Sequence, residues 1–192
     1  MSLRLSGGRR LLSPPGHRAR PTPSRVRLAV MNLLAASLKG SAWLDLFSGS
    51  GVMACEALHH GAVRVVAVER DRRNAAVVRA NLEAVAAGVE SPEFRVQTME
   101  VLSWLRAGGT ARGEEPFDLI YADPPYSAGL QAPVAEAVAR GGWLRPGGKL
   151  LLECATASVP RIPDGPEDWE LIDQRRYGTS TLLILSPGAG LR

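Results

Sequence analysis

The run FDLIYA, residues 117–122, ends in Asp123, Pro124, Pro125 and Tyr126. Two consecutive prolines remove two backbone donors and fix two φ angles, so a strand through the apolar run must stop there. Beyond it lies a stiff loop that offers acceptors only, with a flat ring beside them. An exocyclic amine on a nucleobase is a poor nucleophile because its lone pair is delocalised into the ring. Acceptors aimed at its two N–H bonds favour a pyramidal nitrogen with a more localised pair. The Asp123 carboxylate and the Pro124 carbonyl can supply them, and acceptors held in place stabilise charge that develops in the transition state. Tyr126 offers a face on which an extruded base can stack, a task that needs only the ring. The loop suits an amino group attached to a flat ring.

A second group of residues lies upstream. In DLFSGSGVMA, Gly49 and Gly51 stand between an apolar strand and a helix of small residues, in the pattern G-x-G-x-x-A. Glycines let the chain turn tightly and approach a ligand, and the helix start beyond them presents free N–H groups. Glu69 closes the next apolar strand, 18 residues past Gly51, where a carboxylate can accept both hydroxyls of a ribose. These features fit an NAD enzyme as well as an S-adenosylmethionine enzyme, and a tight strand–helix turn with a surface glutamate would use the same residues. Two observations point to S-adenosylmethionine. Asp45, four residues before Gly49, could receive an ammonium group, which NAD lacks. Hydride transfer would also have no use for the Asp-Pro-Pro-Tyr loop. Glu100 could accept from an adenine amino group or serve as a dipole partner at a helix start.

These residues need a frame, and the chain supplies one. Strands are expected at WLDLF, VRVVAVE, EFRVQ, FDLIYA and GKLLLEC, each but the last followed by a helix, with the turn RPGG before GKLLLEC. WELIDQRRY and STLLILS should form an antiparallel pair joined at Gly178. Strands alternating with helices argue for a doubly wound, largely parallel sheet. Ser24 can cap a helix that ends at Gly40, with Val26, Val30, Leu33, Leu34 and Leu38 on one face and Arg25 and Arg27 pointing outward. The four tryptophans sit in apolar segments and read as core. The reading divides the chain into a basic arm and helix, 1–40, and a catalytic domain, 41–192.

Composition bounds the partners. At 192 residues, with 45% hydrophobic and 22% charged side chains, the chain can bury a core without a metal or disulfide staple. Cys55 and Cys154 are isolated, with no metal-ligand spacing, which suits a reducing cytosol. With no membrane-length apolar run, a cytoplasmic monomer is the expectation. Residues 1–44 carry eight basic side chains and no acid, whereas the remainder nets −4. A basic arm on a mildly acidic domain is the footprint of a polyanion. A coding bias explains arginine over lysine but not the missing acids. Arg9, Arg10, Arg18 and Arg27 are assigned to a nucleic-acid ligand on charge. The Gly- and Pro-rich arm, 1–23, is expected to bury little apolar surface, part of it ordering only on a phosphate backbone.

With both motifs in place, the chain resembles class I S-adenosylmethionine-dependent methyltransferases that act on amino groups. It is more closely similar to the RsmD family, the 16S rRNA (guanine(966)-N2)-methyltransferases. The block GGRRLLSPPG…RPTPSRVR carries the family-specific part, ahead of DLFSGSGVMACEAL, VERD and DPPY. The resemblance implies a Rossmann-like α/β fold with a seven-stranded, mostly parallel sheet, one antiparallel strand and helices on both faces. It implies that Asp45, Phe47, Gly49, Gly51, Glu69, Arg70 and Glu100 hold S-adenosylmethionine. Asp123, Pro124 and Tyr126 would hold the base, with Arg20, Thr22 and Arg25 approaching ribosomal RNA in a small subunit or assembly intermediate. Glu100 departs from the family, which more often has Asp or Asn there. The rivals are a DNA adenine-N6 methylase, for which 192 residues leave little room for a recognition domain, and a methylase of another rRNA base. A protein-glutamine methylase would carry Asn at position 123. A catalytically silent RNA-binding assembly factor would not need Asp123 and the glycines intact.

Overall fold

The computed structural model describes residues 3–14, 24–109, 113–162 and 169–188. Seven strands hydrogen-bond in the order β3-β2-β1-β4-β5-β7-β6, and the chain divides into two units, residues 1–100 and 101–192.

In the first unit, β1 (Ala42–Leu46), β2 (Arg64–Glu69) and β3 (Glu93–Thr98) pair in parallel, with Leu44 beside Val66 and Val66 beside Arg95. Every residue of β1 and β2 is buried, which is why both read as near-continuous apolar runs. Four helices accompany them: α1 (Ser24–Leu33), α2 (Ala35–Leu38), α3 (Val52–His59) and α4 (Arg72–Ala86). Asp71 caps α4 by accepting from the amides of Arg73 and Asn74 at 2.8 and 3.0 Å, satisfying two of the helix's orphan donors.

The expected helix ending at Gly40 is two pieces, α1 and α2, with Leu34 between them. Its buried stripe is Val26, Val30, Leu34 and Leu38, joined by Met31, while Leu33 is exposed. Arg27 corrects the outward-facing expectation. It is 7% exposed, because its guanidinium meets the buried Glu56 of α3 at 3.5 Å and donates to the carbonyl of Arg4 at 2.7 Å. Pairing with this buried acid offsets the cost of burying the guanidinium, and that gain overrides the helical stripe.

The arm also departs from expectation over its described part. Residues 3–11 form a small hairpin: Leu11 donates to Leu3, Leu5 to Arg9 and Gly8 to Leu5, each at 2.9 Å. Leu3, Leu5 and Leu11 are buried, so this segment does bury apolar surface. Ser6 donates to Glu56 through its amide at 3.0 Å and its hydroxyl at 2.8 Å, and the Arg9 guanidinium donates to the carbonyl of Ala84. The other expectations for the arm fall on residues 15–23, outside the described residues.

In the second unit, β4 (Phe117–Ala122) pairs in parallel with β5 (Leu144–Ala155). Strand β7 (Ser180–Pro187) runs antiparallel to both β5 and β6 (Trp169–Tyr177), so the expected hairpin around Gly178 is present. RPGG is absorbed into β5 as an irregularity: the register jumps from Phe117 beside Leu144 to Leu119 beside Lys149. Helices α5 (Val101–Arg106) and α6 (Gln131–Arg140) pack in this unit. Trp104 and Trp143 stack at 4.2 Å, and Trp143 donates to the Leu105 carbonyl at 3.0 Å. All four tryptophans are buried. Among the described residues no helix is long and apolar enough to cross a membrane.

Candidate functional site

Where β1 ends, the backbone is forced into the left-handed region three times in five residues: Phe47 at φ 61°, Gly49 at 56° and Gly51 at 74°. Phe47 is the costly one, since a side chain there is disfavoured and must be held by its surroundings. Gly51 has a second reason to lack a side chain. A Cβ there would stand 2.9 Å from Val78 of α4, so the loop and helix could not close. A Cβ on Gly49 would meet only the Phe47 carbonyl, at 3.9 Å, leaving that stretch of backbone approachable.

Two buried acids hold this loop. Asp45 accepts from the Ser48 hydroxyl at 2.6 Å and the Ala54 amide at 3.2 Å, both on Oδ2. Burial pushes its carboxyl up to about 7, the Ser48 and Ala54 hydrogen bonds lower it, and repulsion from Glu69 adds to the rise. Such a group ionises readily once a cation arrives. Glu69, at the end of β2, accepts from the Gly49 amide at 2.8 Å through Oε2 and from the Asp71 amide at 2.9 Å through Oε1. A carboxylate has about four acceptor sites. Each Glu69 oxygen therefore retains one for a ligand hydroxyl, and Asp45 Oδ1 makes no hydrogen bond among the described residues. The acids fit an ammonium and a ribose. Arg70 and Glu100 are exposed beyond the ends of β2 and β3.

Asn81 carries no motif that marks it in the sequence. It is buried in α4, accepts from the Leu12 amide at 2.8 Å, and donates to the carbonyls of Leu12 and Ser50 at 3.0 Å each. One side chain thus binds both the arm and the glycine loop. The legible signal was a polar residue on the apolar stripe of Ala75, Val78, Leu82 and Val85.

In the second unit, β4 delivers Asp123, half-buried, and Pro124, buried, while Pro125 is exposed. The chain then makes a single 3₁₀ turn over Tyr126–Ala128, closed by the Ala128 amide on the Pro125 carbonyl at 3.0 Å. Tyr126 is 38% exposed, but its hydroxyl is engaged, 3.1 Å from Glu153 Oε1 and 2.8 Å from Ser180 Oγ. Burial and the carboxylates Glu153 and Asp123 push this phenol up to about 12, and the Ser180 bond opposes them. The signal for Glu153 was an acid inside the apolar strand GKLLLEC.

Of the residues assigned to RNA, Arg10 and Arg25 are exposed, Arg9 is exposed with one contact to Ala84, and Arg27 is consumed by its ion pair. Arg18, Arg20 and Thr22 lie outside the described residues.

A family model described as conserved hypothetical protein 95 matches residues 5–186. Ribosomal RNA small subunit methyltransferase D of Escherichia coli K12 is 30% identical over 171 residues, 89% of this chain and 81% of that protein. The chain belongs to this family, the RsmD family. Another RsmD relative, of the same name from Haemophilus influenzae, is 29% identical over 89% of this chain and 84% of its own. The solved Escherichia coli protein yhhF matches with a TM-score of 0.79 and 27% identity, covering 98% of this chain and 99% of its own. Its fold and that of this RsmD family member are the same over nearly their whole lengths.

Proposed function

We propose that the protein transfers a methyl group from S-adenosylmethionine to the exocyclic N2 amino group of a guanine in small-subunit ribosomal RNA. The observation that carries this reading is the pair of buried acids, Asp45 and Glu69, gathered on a left-handed glycine loop in a member of the RsmD family. The three acids each stand near the carboxyl end of a strand: Asp45 in β1, Glu69 in β2, Asp123 after β4. Ligands of open α/β sheets bind there.

When bound, S-adenosylmethionine supplies an electrophilic methyl on sulfur, with a neutral thioether as the leaving group. Asp45 receives its ammonium and Glu69 its ribose hydroxyls. Asp123 and the Pro124 carbonyl would accept hydrogen bonds from the two N–H groups of the guanine amine and leave its lone pair free to attack, so that orientation lowers the barrier. The nitrogen would gain the methyl as the carbon–sulfur bond breaks, and its surplus proton would leave to solvent. The half-exposed Tyr126 ring carries the base. The RNA backbone lies on exposed arginines, Arg10 and Arg25 among them.

Glu69→Ala should weaken S-adenosylmethionine binding by roughly 1.5–3 kcal/mol, the scale of hydrogen bonds to a charged group. Unchanged affinity by calorimetry would remove Glu69 from the site. For RNA, the buried hairpin of residues 3–11 makes arm truncation a poor probe, because it would strip Leu3, Leu5 and Leu11 from the core. Arg10→Ala combined with Arg25→Ala removes charge without touching the hairpin's anchors. RNA affinity should fall, and its salt slope should flatten by about one to two. An unaltered slope would mean that the arm's charge is a coding bias.

The reading as a whole is tested with labelled cofactor, offered with naked 16S RNA and with small subunits lacking the modification, followed by nucleoside analysis. Label in N2-methylguanosine is the expected result. Label on adenine or on DNA would overturn the base assignment. RNA and cofactor binding without transfer would identify a silent assembly factor.

A further inference from the structure

Strand β5 is apolar from Leu150 to Leu152, yet its next residue is Glu153, only 2% exposed. Among the described residues neither carboxylate oxygen meets a cation. One oxygen accepts from the Tyr121 hydroxyl at 2.6 Å and the other lies 3.1 Å from the Tyr126 hydroxyl. A buried carboxylate without a cation is expensive, and an apolar residue of similar size would stabilise such a position better. A stability role therefore does not account for Glu153. Its two phenol partners differ in place: Tyr121 is fully buried in β4, whereas Tyr126 presents its ring to solvent just past Asp123 and the two prolines.

We propose that Glu153 is the positioning residue for the Tyr126 ring, holding it by the hydroxyl so that its face is set before a base arrives. This rests on the methyl-transfer reading above, in which that ring carries the target base. The bonds of Glu153, Tyr126 and Ser180 are compatible with one another. Tyr121 gives its one proton to Glu153 Oε2 and Tyr126 gives its own to Oε1. The Tyr126 oxygen then accepts from the Ser180 hydroxyl at 2.8 Å. Ser180 opens β7, which pairs with β5, so the ring is referred to three strands, β4, β5 and β7, rather than to its own loop. Both carboxylate bonds are charge-assisted, which suits them to fixing an orientation. A tyrosine used for stacking alone would leave its hydroxyl in water, and phenylalanine would replace it. A tethered one loses its register without the hydroxyl.

The test compares wild type, Glu153→Gln, Tyr126→Phe and the double variant. Turnover is measured at saturating RNA, together with S-adenosylmethionine affinity and melting temperature. The same proteins carrying 3-fluorotyrosine are examined by fluorine NMR. The chain has three tyrosines, so Tyr→Phe variants assign every resonance. Glutamine keeps the volume of Glu153 but accepts well from only one phenol. Each single variant should lose about tenfold in turnover, a modest misplacement on the scale of orientation effects. The double variant should lose no more than either single, because both break the same tether. Cofactor affinity should stay within about twofold, and the Tyr126 resonance of Glu153→Gln should move toward that of free tyrosine. The proposal is overturned if Glu153→Gln keeps wild-type turnover and an unmoved Tyr126 resonance. It is equally overturned if the two single losses multiply in the double variant. Should Glu153→Gln fail to fold, Ser180→Ala removes one contact and spares the acid. A displaced Tyr126 resonance with reduced turnover in that variant supports the tether, and wild-type values overturn it. If the wild-type protein methylates no RNA, the reading of the reaction fails, and the resonance alone then decides: displaced, the tether stands; unmoved, it falls.

Discussion

Asp123→Ala should lower turnover at saturating RNA by at least about 100-fold, the loss seen when one preorganised polar group is removed from a charge-developing centre. S-adenosylmethionine affinity should stay within about twofold, because Asp45 and Glu69 are assigned to the cofactor and Asp123 to the base. The loop should survive the change. Its φ angles are fixed by Pro124 and Pro125, and its turn is closed by the Ala128 amide on the Pro125 carbonyl, neither of which involves the Asp123 side chain. Asp123→Asn should fall between, since the amide keeps one acceptor and gives up the charge. Steady-state kinetics and calorimetry on the three proteins decide the matter. An alanine variant with more than about half of wild-type turnover would exclude Asp123 from the chemistry.

The second large effect is expected at Asp45, where stability and binding should move in opposite directions. Its carboxyl sits at about 7 in the fold against an ordinary 3.8. The folded, cofactor-free protein therefore holds this proton more tightly than the unfolded chain does. The stability belonging to the neutral acid is fully present below about pH 4 and is lost as pH rises through about 7, a swing on the order of 4 kcal/mol. Asp45→Asn keeps an acceptor for Ser48 and Ala54 and removes the titration. It should melt several degrees above wild type at pH 8 without cofactor, with the gap closing toward pH 4. The same variant should bind S-adenosylmethionine more weakly by roughly 1.5–3 kcal/mol at pH 8. In wild type, affinity should decline as pH drops below about 7, because the ammonium then has to displace a proton. Melting curves and calorimetry across this pH range check each arm. A variant no more stable than wild type at pH 8 would show that the fold does not raise the Asp45 carboxyl.

The frame was legible because its signals are local. Buried parallel strands leave uninterrupted apolar runs, and each run from WLDLF to STLLILS is a strand at nearly the expected limits. RPGG has the composition of a turn before β5, whereas the strand begins at Leu144 and carries those residues as an irregularity. Nothing in four residues of turn composition distinguishes the two. The glycine loop and the loop at Asp123 were visible because both need residues of unusual backbone freedom or rigidity. What sequence could not supply was pairing at a distance. Arg27 and Glu56 are 29 positions apart, Tyr126 and Ser180 are 54 apart, and Leu12 and Asn81 are 69 apart. Nothing in either partner taken alone names the other. The arm departs from expectation for a related reason: leucines spread among glycines and arginines look too sparse to fold, yet three of them are buried in a hairpin that Ser6 ties to α3 and Arg9 ties to α4.

The bonds of Asn81 bear on how such a protein can be cut and recombined. A single amide anchors Leu12 at both its amide and its carbonyl while holding the carbonyl of Ser50. The N-terminal hairpin and the glycine loop are therefore not separable cassettes. A chimera that imports a relative's arm must also import whatever that relative places at position 81 and matching backbone at 12 and 50. A library that varies the first dozen residues alone is searching, without intending to, the shape of the loop after β1.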